Sequence, residues 1–268
     1  MPSFTLSPPA IAARAERTYH RAMGHLEPER RVRGGADGGA GNLTFRMLDS
    51  IGREIVTGYY DGRRFPTEAE LADEHKVSRS VTREAVKMLT AKGLLTARPR
   101  TGTTVQPASS WNLFDADVLR WLLERKFSLD LLRQFSELRI AIEPEAAALG
   151  ARCGDRPALA AIRAGYARME AAEAGRDDPL EADLAFHIAV LDASGNPFYR
   201  QFRDLIATAL HTSIRFTNRF QGRTASLPAH EAVLVAIEGG RRDEARAAMA
   251  TIIRDVMALI EEAEKAAA

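Results

Sequence analysis

The most constraining feature of the sequence is a pair of short helices separated by a tight turn, within residues 67–93. Thr67 is followed three residues later by Glu70, the capping-box pattern that starts a helix. After the turn, an amphipathic helix is predicted over residues 79–92, and Gly93 is a natural stop for it. Two helices joined so closely are typical of a helix-turn-helix.

A helix before this motif and a hairpin after it complete a larger unit. Residues 43–58 repeat apolar side chains at three- and four-residue intervals, which predicts a helix. Residues 94–107 hold two short β-rich runs around a turn that contains Gly102. Three helices and a small hairpin predict a winged helix-turn-helix domain over residues 43–107.

The third helix of this unit would enter the major groove of duplex DNA. Its apolar face is expected to carry Val81, Ala85, Met88 and Leu89. The side chains expected to point outward, toward DNA, are those of Arg79, Ser80, Thr82, Arg83 and Lys87. Arginine suits bidentate contact with guanine or phosphate. A surface helix of any protein can carry two arginines, so the prediction of DNA binding also depends on the hairpin and on charge.

Charge is distributed unevenly along the 268 residues. Residues 43–107 carry 11 Lys and Arg against 8 Asp and Glu, whereas residues 108–268 carry 20 against 24. A basic front joined to a mildly acidic back is consistent with a polyanion-binding module attached to something else. Residues 1–42 end in a Gly-rich stretch and are predicted to be a disordered extension, with a basic arm that touches DNA as the alternative.

Cysteine content and hydropathy indicate the compartment. The single cysteine, Cys153, excludes an internal disulfide framework and favours a reducing environment. The sequence has no secretory signal pattern and no apolar run near the roughly 18–20 residues that span a bilayer. These observations predict a cytoplasmic protein.

The remainder of the chain is predicted to be helical, so the fold class is mostly α. Residues 108–114 are expected to be a linker, and residues 115–268 a helical bundle large enough to hold a pocket. Trp111 and Trp121, near the junction, are interpreted as packing anchors. The helices are expected at 115–126, 128–153, 156–174, 178–194, 197–220, 227–239 and 241–267.

Two sets of motifs resemble one known family. The front matches in "FPTEAELADEHKVSRSVTREAVKMLTAKGLL", and the back in "ELRIAIEPEAAALGA", "DLAFHIAVLDASGNPFY" and "HEAVLVAIEGGRRDEARAAM". Over about residues 43–260 the chain resembles the GntR family of bacterial transcription regulators, in the fatty-acid-regulator subclass with an FCD effector domain. The segment "SSWNLFDADVLRWLLE" is similar to sugar-acid-sensing members. The resemblance implies a homodimeric repressor on a palindromic operator, controlled by a small carboxylate such as the sugar acid galactonate.

The resemblance also assigns roles to DNA-binding residues. Arg79 and Arg83 match helix arginines that contact the operator, and Thr101 with Gly102 matches the tip of the wing. Ala69 departs from the family, because many members carry a DNA-contacting arginine there. The contact would be lost, or supplied by Arg63, Arg64 or Arg100. Residues 106–114 would transmit the effect of the bound ligand.

Asp183 and His187 lie one helical turn apart, so they would share a helix face. The resemblance implies a divalent metal bound by one Asp and three His, which match Asp183, His187, His230 and, at the fourth position, Ile252. Three oxygen and nitrogen ligands still suit Zn²⁺, Mn²⁺ or Ni²⁺ if water or an effector carboxylate completes the sphere. Two alternatives remain: a metal-free pocket in which the histidines bind the effector directly, and a simple surface pair.

Other residues are predicted to bind the effector. Arg139 could form a fork to a carboxylate, with Glu143 one turn away, although an ordinary Arg–Glu ion pair is the alternative. Asn196 is either a ligand or a helix terminator. His211 and Arg215, also one turn apart, either read the ligand or belong to a solvated helix face.

Three classes of function are compatible with these residues. A ligand-controlled transcription factor explains both halves of the chain. A metal-dependent hydrolase or lyase acting on a small organic acid would use Asp183, His187 and His230, with Glu143 as base, but no H-E-x-x-H motif is present. A constitutive DNA-binding scaffold would need no ligand at all.

Overall fold

The computed structural model describes residues 38–98, 102–125, 129–211 and 225–267. Contacts among Cα atoms divide the chain into two compact units at residues 127 and 128. Among the described residues, the first unit therefore runs to Arg125 and the second begins at Leu129. Thr101, Arg100 and Arg215, named above, lie outside the described residues.

The first unit is a three-helix domain with a hairpin, followed by one more helix. Its strands pair antiparallel, with Leu95 opposite Val105 and Arg98 opposite Gly102. This arrangement confirms the winged helix-turn-helix. The elements are α1 (Gly38–Val56), α2 (Glu68–His75), α3 (Arg79–Ala91), β1 (Leu95–Arg98), β2 (Gly102–Val105), a 3-10 turn (Ala108–Ser110) and α4 (Ala116–Arg125).

Helix α1 begins earlier than the apolar repeat predicts. Residues 38–42 form its first turn, although their Gly-rich composition placed them in the N-terminal extension. Glycine lowers helix propensity without forbidding the helix, and the apolar repeat that packs on the core starts only after it.

The caps predicted for the helix-turn-helix are present. The side chain of Thr67 accepts a hydrogen bond from the amide of Glu70 (3.3 Å), and the Glu70 carboxylate accepts one from the amide of Thr67 (2.7 Å). Lys76 ends α2 in the left-handed conformation, with φ 53°. Ser78 caps α3 by accepting from the amide of Val81 (3.4 Å). The turn between the helices is therefore fixed by local chemistry.

Helix α4 packs on α1. Trp121 is buried, and its indole nitrogen donates to the carboxylate of Asp49 (2.8 Å). Lys92, at the end of α3, donates to Asp115 (2.8 Å) and to Asp117 (3.0 Å) at the start of α4. The sequence assigned this helix to the effector domain from residue 115, whereas its contacts lie within the first unit. An apolar repeat shows that a helix buries one face but does not show against which partner.

The connector at 106–114 also packs on the first unit. The indole nitrogen of Trp111 donates to the carbonyl of Gln106 (3.0 Å), and the amide of Asn112 donates to the carbonyl of Lys92 (3.0 Å). A side chain at Gly93 would place its Cβ 2.3 Å from the carbonyl oxygen of Ser110. Trp111 and Trp121 are therefore packing anchors, as predicted.

We expect Gly52→Ala to destabilise the first unit by about 1–3 kcal/mol, the usual cost of overpacking. A Cβ at this position would lie 2.3 Å from Cη2 of Trp121, so α4 would be pushed off α1. Urea unfolding followed by tryptophan fluorescence measures the change. Gly41→Ala, on the same helix with nothing within 4 Å of the added Cβ, is the control and should not destabilise. Equal free energies of unfolding for the two variants would contradict this packing.

The second unit is helical throughout its described residues, which confirms the mostly α fold class. Helix α5 packs against α7 and α11, and α6 packs against α7. At Gly165 a Cβ would lie 2.9 Å from Cα of Phe186, so only glycine allows α6 and α7 to approach so closely. The helices are α5 (Leu129–Cys153), α6 (Arg156–Glu173), α7 (Pro179–Ala193), α8 (Pro197–Arg200), α9 (203–211), α10 (Leu227–Glu238) and α11 (Arg242–Ala267).

The single helix predicted over 197–220 is wrong. The structure has the short helix α8, a turn at residues 201–202 and then α9, while residues 212–220 lie outside the described part. Gln201 caps the end of α8, donating its amide to Phe198. Within the described ranges, no helix is long and apolar enough to cross a membrane.

Candidate functional site

The outer face of α3 presents basic side chains. Arg79, Ser80, Arg83 and Lys87 are all exposed. Nε of Arg83 lies 3.6 Å from the carboxylate of Glu68, and Nζ of Lys87 lies 3.6 Å from that of Glu84. Both basic side chains are more than 70 % exposed, at 72 % and 73 %, so these loose pairs leave them available to an incoming polyanion.

The expectation that Thr82 points outward is wrong. Its side chain is fully buried, and its hydroxyl donates to the carbonyl of Ser78 one turn earlier (3.2 Å). Because that bond satisfies the hydroxyl inside the protein, the threonine can sit on the apolar face. Val86 is buried as well, in addition to the predicted Val81, Ala85 and Leu89, while Met88 is half-buried.

The wing and the loop before α2 carry the remaining predicted DNA contacts. Gly102 is exposed at the start of β2 with φ 80°, a conformation that favours glycine. Ala69 is exposed on α2. Arg64 donates to the Glu70 carboxylate (2.6 Å), and the guanidinium of Arg63 lies over the ring of Tyr59 at 4.7 Å. Both arginines are exposed, although each already has a partner.

In the second unit, three buried side chains from two helices meet. Asp183 and His187 lie on α7 and His230 on α10, and one ligand atom from each lies within 4.8 Å of the others. We call these residues the three-ligand cluster. The interpretation of Asp183 and His187 as a surface pair is wrong, because their side chains are only 8 % and 1 % exposed.

Two atoms of the cluster are buried without a hydrogen bond. Oδ1 of Asp183 and Nε2 of His230 lie 3.0 Å apart, yet neither has a partner of acceptable geometry. Nε2 of His187 lies 3.5 Å from the same Oδ1. Buried polar atoms without partners are costly, so a group that would bind all three atoms is the simplest explanation.

The opposite ring nitrogens of the two histidines are already occupied. Nδ1 of His187 donates to the carboxylate of Glu143 (2.5 Å), and Nδ1 of His230 donates to the carbonyl of Ser226 (2.8 Å). Metal-binding histidines usually donate their second nitrogen in this way. Both Nε2 atoms are consequently directed at Asp183, as ligands of one cation would be.

Charge inside the cluster is balanced by a proton on His187. Burial lowers the pKa of His187, but the carboxylates of Glu143 and Asp183 outweigh it and raise the pKa to about 9. Burial raises the pKa of Asp183, yet hydrogen bonds from His187 and His230 hold it well below its usual range. Burial likewise raises the pKa of Glu143, and Arg139 and His187 lower it to about 2. A divalent cation would replace the proton on His187.

The donor set fits a divalent transition metal. One carboxylate and two imidazoles suit Zn²⁺, Mn²⁺ or Ni²⁺, and three protein ligands leave a coordination position for water or a ligand oxygen. Ile252, which occupies the fourth position implied by the resemblance, is a buried residue of α11 that cannot ligate a metal.

The predicted effector residues do not all meet at the cluster. Arg139 donates from Nε to the Glu143 carboxylate (2.6 Å), and both side chains are buried, which matches the ion-pair alternative. Asn196 is half-buried and caps α8, accepting from the amide of Phe198 (3.0 Å). His211 lies 3.2 Å from the carboxylate of Glu181 at the surface and is outside the three-ligand cluster.

Two partners were missed by the sequence reasoning. Ser226, whose carbonyl holds His230, acts through its backbone and therefore left no signal in its side chain. Glu68 lies beside Arg83 across the turn of the helix-turn-helix. Its position in the first turn of α2 was visible, but the distance between the two side chains depends on how α2 and α3 pack.

Comparison with known proteins followed from both units. A family model described as "Bacterial regulatory proteins, gntR family" matches residues 46–105, and the FCD domain model matches residues 134–255. The galactonate operon transcriptional repressor of Escherichia coli is 34% identical over 217 residues, covering 79% of this chain and 94% of the relative. The uncharacterized regulator YieP of Escherichia coli is 34% identical over 216 residues, covering 80% and 93%.

One solved structure shares the overall fold. The structure of Lar from Listeria monocytogenes covers 82% of this chain and 97% of its own chain, with a TM-score of 0.52 and 19% sequence identity. At that identity the likeness concerns the arrangement of the helices.

Proposed function

Because the chain belongs to the GntR family of bacterial transcription regulators that carry an FCD domain, we propose that it is a cytoplasmic homodimeric repressor controlled by a small carboxylate. The first unit, up to Arg125, would bind one half of a palindromic operator. The second unit, from Leu129, would bind the effector and a divalent metal. Since the relatives are regulators, the alternative of a metal-dependent hydrolase or lyase is wrong.

The observation that supports effector control most directly is the three-ligand cluster. A helical domain that served only as a scaffold would gain nothing from unpaired polar atoms at its centre, and burying them costs stability. A domain that binds a cation and an anion there would use them. The cluster therefore favours a sensor over a constitutive scaffold.

The metal and the effector would share the cluster. A bound divalent cation offers its open coordination position to a carboxylate oxygen. Asp183, His187 and His230 would hold the cation, and Ile252 leaves the fourth position free for the ligand. The similarity to the galactonate operon repressor supports a sugar acid such as galactonate as that ligand. Asn196, His211 and Arg215 stay proposed contacts to its hydroxyls.

A thermal-shift screen of the zinc-loaded chain tests effector binding. We expect one sugar acid, with D-galactonate first in the panel, to stabilise the fold by about 2.7 kcal/mol when present at 100 times its Kd. The same screen after removal of zinc by a chelator should lose the response. If no sugar acid or other small carboxylate shifts the melting temperature, the scaffold alternative is correct instead.

We expect zinc affinity to fall as the pH is lowered from 9 to 6, by up to tenfold for each pH unit. The reason is that His187 carries a proton below its pKa of about 9 and must release it from Nε2 to bind the metal. Calorimetry in buffers of different ionisation enthalpy should show about one proton released from His187 for each zinc bound near pH 7. Zinc binding without any proton release would contradict this charge balance.

A further inference from the structure

We propose that Glu143 is a positioning residue that fixes the tautomer and ring orientation of His187, and that Arg139 holds Glu143 in place for that purpose. This inference rests on the proposed metal centre. It assigns to the Arg139–Glu143 pair a role in setting metal affinity in place of direct contact with the effector.

The carboxylate of Glu143 is held from two sides. Its Oε1 accepts from Nε of Arg139 (2.6 Å), and its Oε2 accepts from Nδ1 of His187 (2.5 Å), with Nη2 of Arg139 at 3.4 Å. The residue is fully buried on α5, whereas His187 lies 44 residues later on α7. With both oxygens engaged, the carboxylate cannot rotate without breaking a charged hydrogen bond.

The bond to Glu143 determines which nitrogen of His187 faces the cluster. A carboxylate can only accept, so Nδ1 must carry a hydrogen. In the neutral imidazole this leaves the lone pair on Nε2, the atom that lies 3.5 Å from Oδ1 of Asp183. An imidazole without this acceptor would divide its population between the two tautomers, and only one of them can bind the metal.

His230 provides a comparison within the same cluster. Its Nδ1 donates to the carbonyl of Ser226, four residues earlier on the chain, so the backbone of α10 fixes the ring. No side chain is required for that bond. His187 is thus the histidine of the cluster whose orientation depends on another side chain.

Arg139 acts through Glu143. The side chains of the pair are 2% and 1% exposed, so the guanidinium neutralises a carboxylate that burial alone would favour in its protonated form. The Nε of Arg139, which would begin a fork to an effector carboxylate, is already bound to Glu143. This geometry favours an internal supporting pair.

The test compares Glu143→Gln with wild type, using zinc alone as the probe. We expect the variant to bind zinc 10- to 100-fold more weakly, the usual effect of removing the partner of a metal-binding histidine. Long-range ¹⁵N–¹H NMR of the zinc-loaded protein should show Nδ1–H on His187 in wild type and a mixture of tautomers in the variant. The signals of His230 should not change, because its partner is untouched.

The matched control is Glu137→Gln. Glu137 lies on the same helix and pairs with Arg133 four residues away, as Glu143 pairs with Arg139, but this pair is exposed. Its loss should leave zinc affinity and both histidine spectra unchanged. If Glu143→Gln does not fold, Glu143→Asp retains the charge beside Arg139 while withdrawing the carboxylate by one methylene, and a tenfold weaker affinity is expected.

The outcomes separate this inference from the proposed function. A wild-type chain that binds no zinc would overturn the metal centre and the inference with it. A wild-type chain that binds zinc, with Glu143→Gln equal to it in affinity and in the His187 tautomer, would overturn the inference alone.

Discussion

Replacing Arg79 and Arg83 together by alanine is expected to weaken operator binding at least 100-fold and to abolish the preference for operator over random duplex. Both side chains are exposed on α3, and a good bidentate contact to a base contributes about 1–3 kcal/mol. A dimer would lose the contacts in both half-sites at once. Fluorescence anisotropy with a duplex from the upstream region of the gene, at one fixed salt concentration, measures the change.

A matched control separates base reading from general charge. Arg156 is an exposed arginine in the second unit, and its replacement by alanine should leave operator affinity unchanged. Lys87→Ala should weaken binding to all duplexes alike and reduce the salt slope by about 1, as expected for a phosphate contact. If the double variant still prefers the operator, α3 is not the element that reads the sequence.

Asp183→Asn is expected to weaken zinc binding by more than 100-fold and to remove the response to the effector. The substitution keeps the shape of the side chain but replaces the carboxylate that faces both Nε2 atoms by a neutral amide. Operator binding without effector should persist, because the recognition helix belongs to the other unit. Zinc titration against a chromophoric chelator gives the affinity, and circular dichroism shows whether the variant is folded.

Glu181→Gln is the control for this change. Glu181 lies on the same helix, two residues earlier, and is an exposed acid whose partner is His211. Its replacement removes the same charge without touching the cluster, so zinc affinity should stay within a factor of two. A folded Asp183→Asn protein that binds zinc as wild type does would show that the metal is held elsewhere.

Much of the fold could be predicted because the chain marks its own helix ends. Thr67, Ser78, Asp155 and Asp178 each cap a helix with a side-chain oxygen, as local sequence patterns suggest. The Asp183–His187 pair was equally visible, since residues one turn apart share a face. Local spacing is sufficient for features of this kind.

The missing parts depend on packing between distant segments. The bond from His187 to Glu143 joins α7 to α5, and no periodicity within either helix predicts it. Thr82 was placed outward because its residue type is polar, whereas a hydrogen bond to its own helix allows burial. Trp121 was correctly interpreted as an anchor, but the surface that it covers, at Gly52 on α1, became apparent only in three dimensions.

The measurement that tests the central claim most directly is operator affinity of the zinc-loaded wild-type chain with and without D-galactonate. Control of the first unit by a carboxylate bound in the second predicts a change of at least tenfold, since coupling between sites typically amounts to about 1–3 kcal/mol. The change should be absent in Asp183→Asn. An operator affinity that neither galactonate nor any other small carboxylate alters would contradict the account.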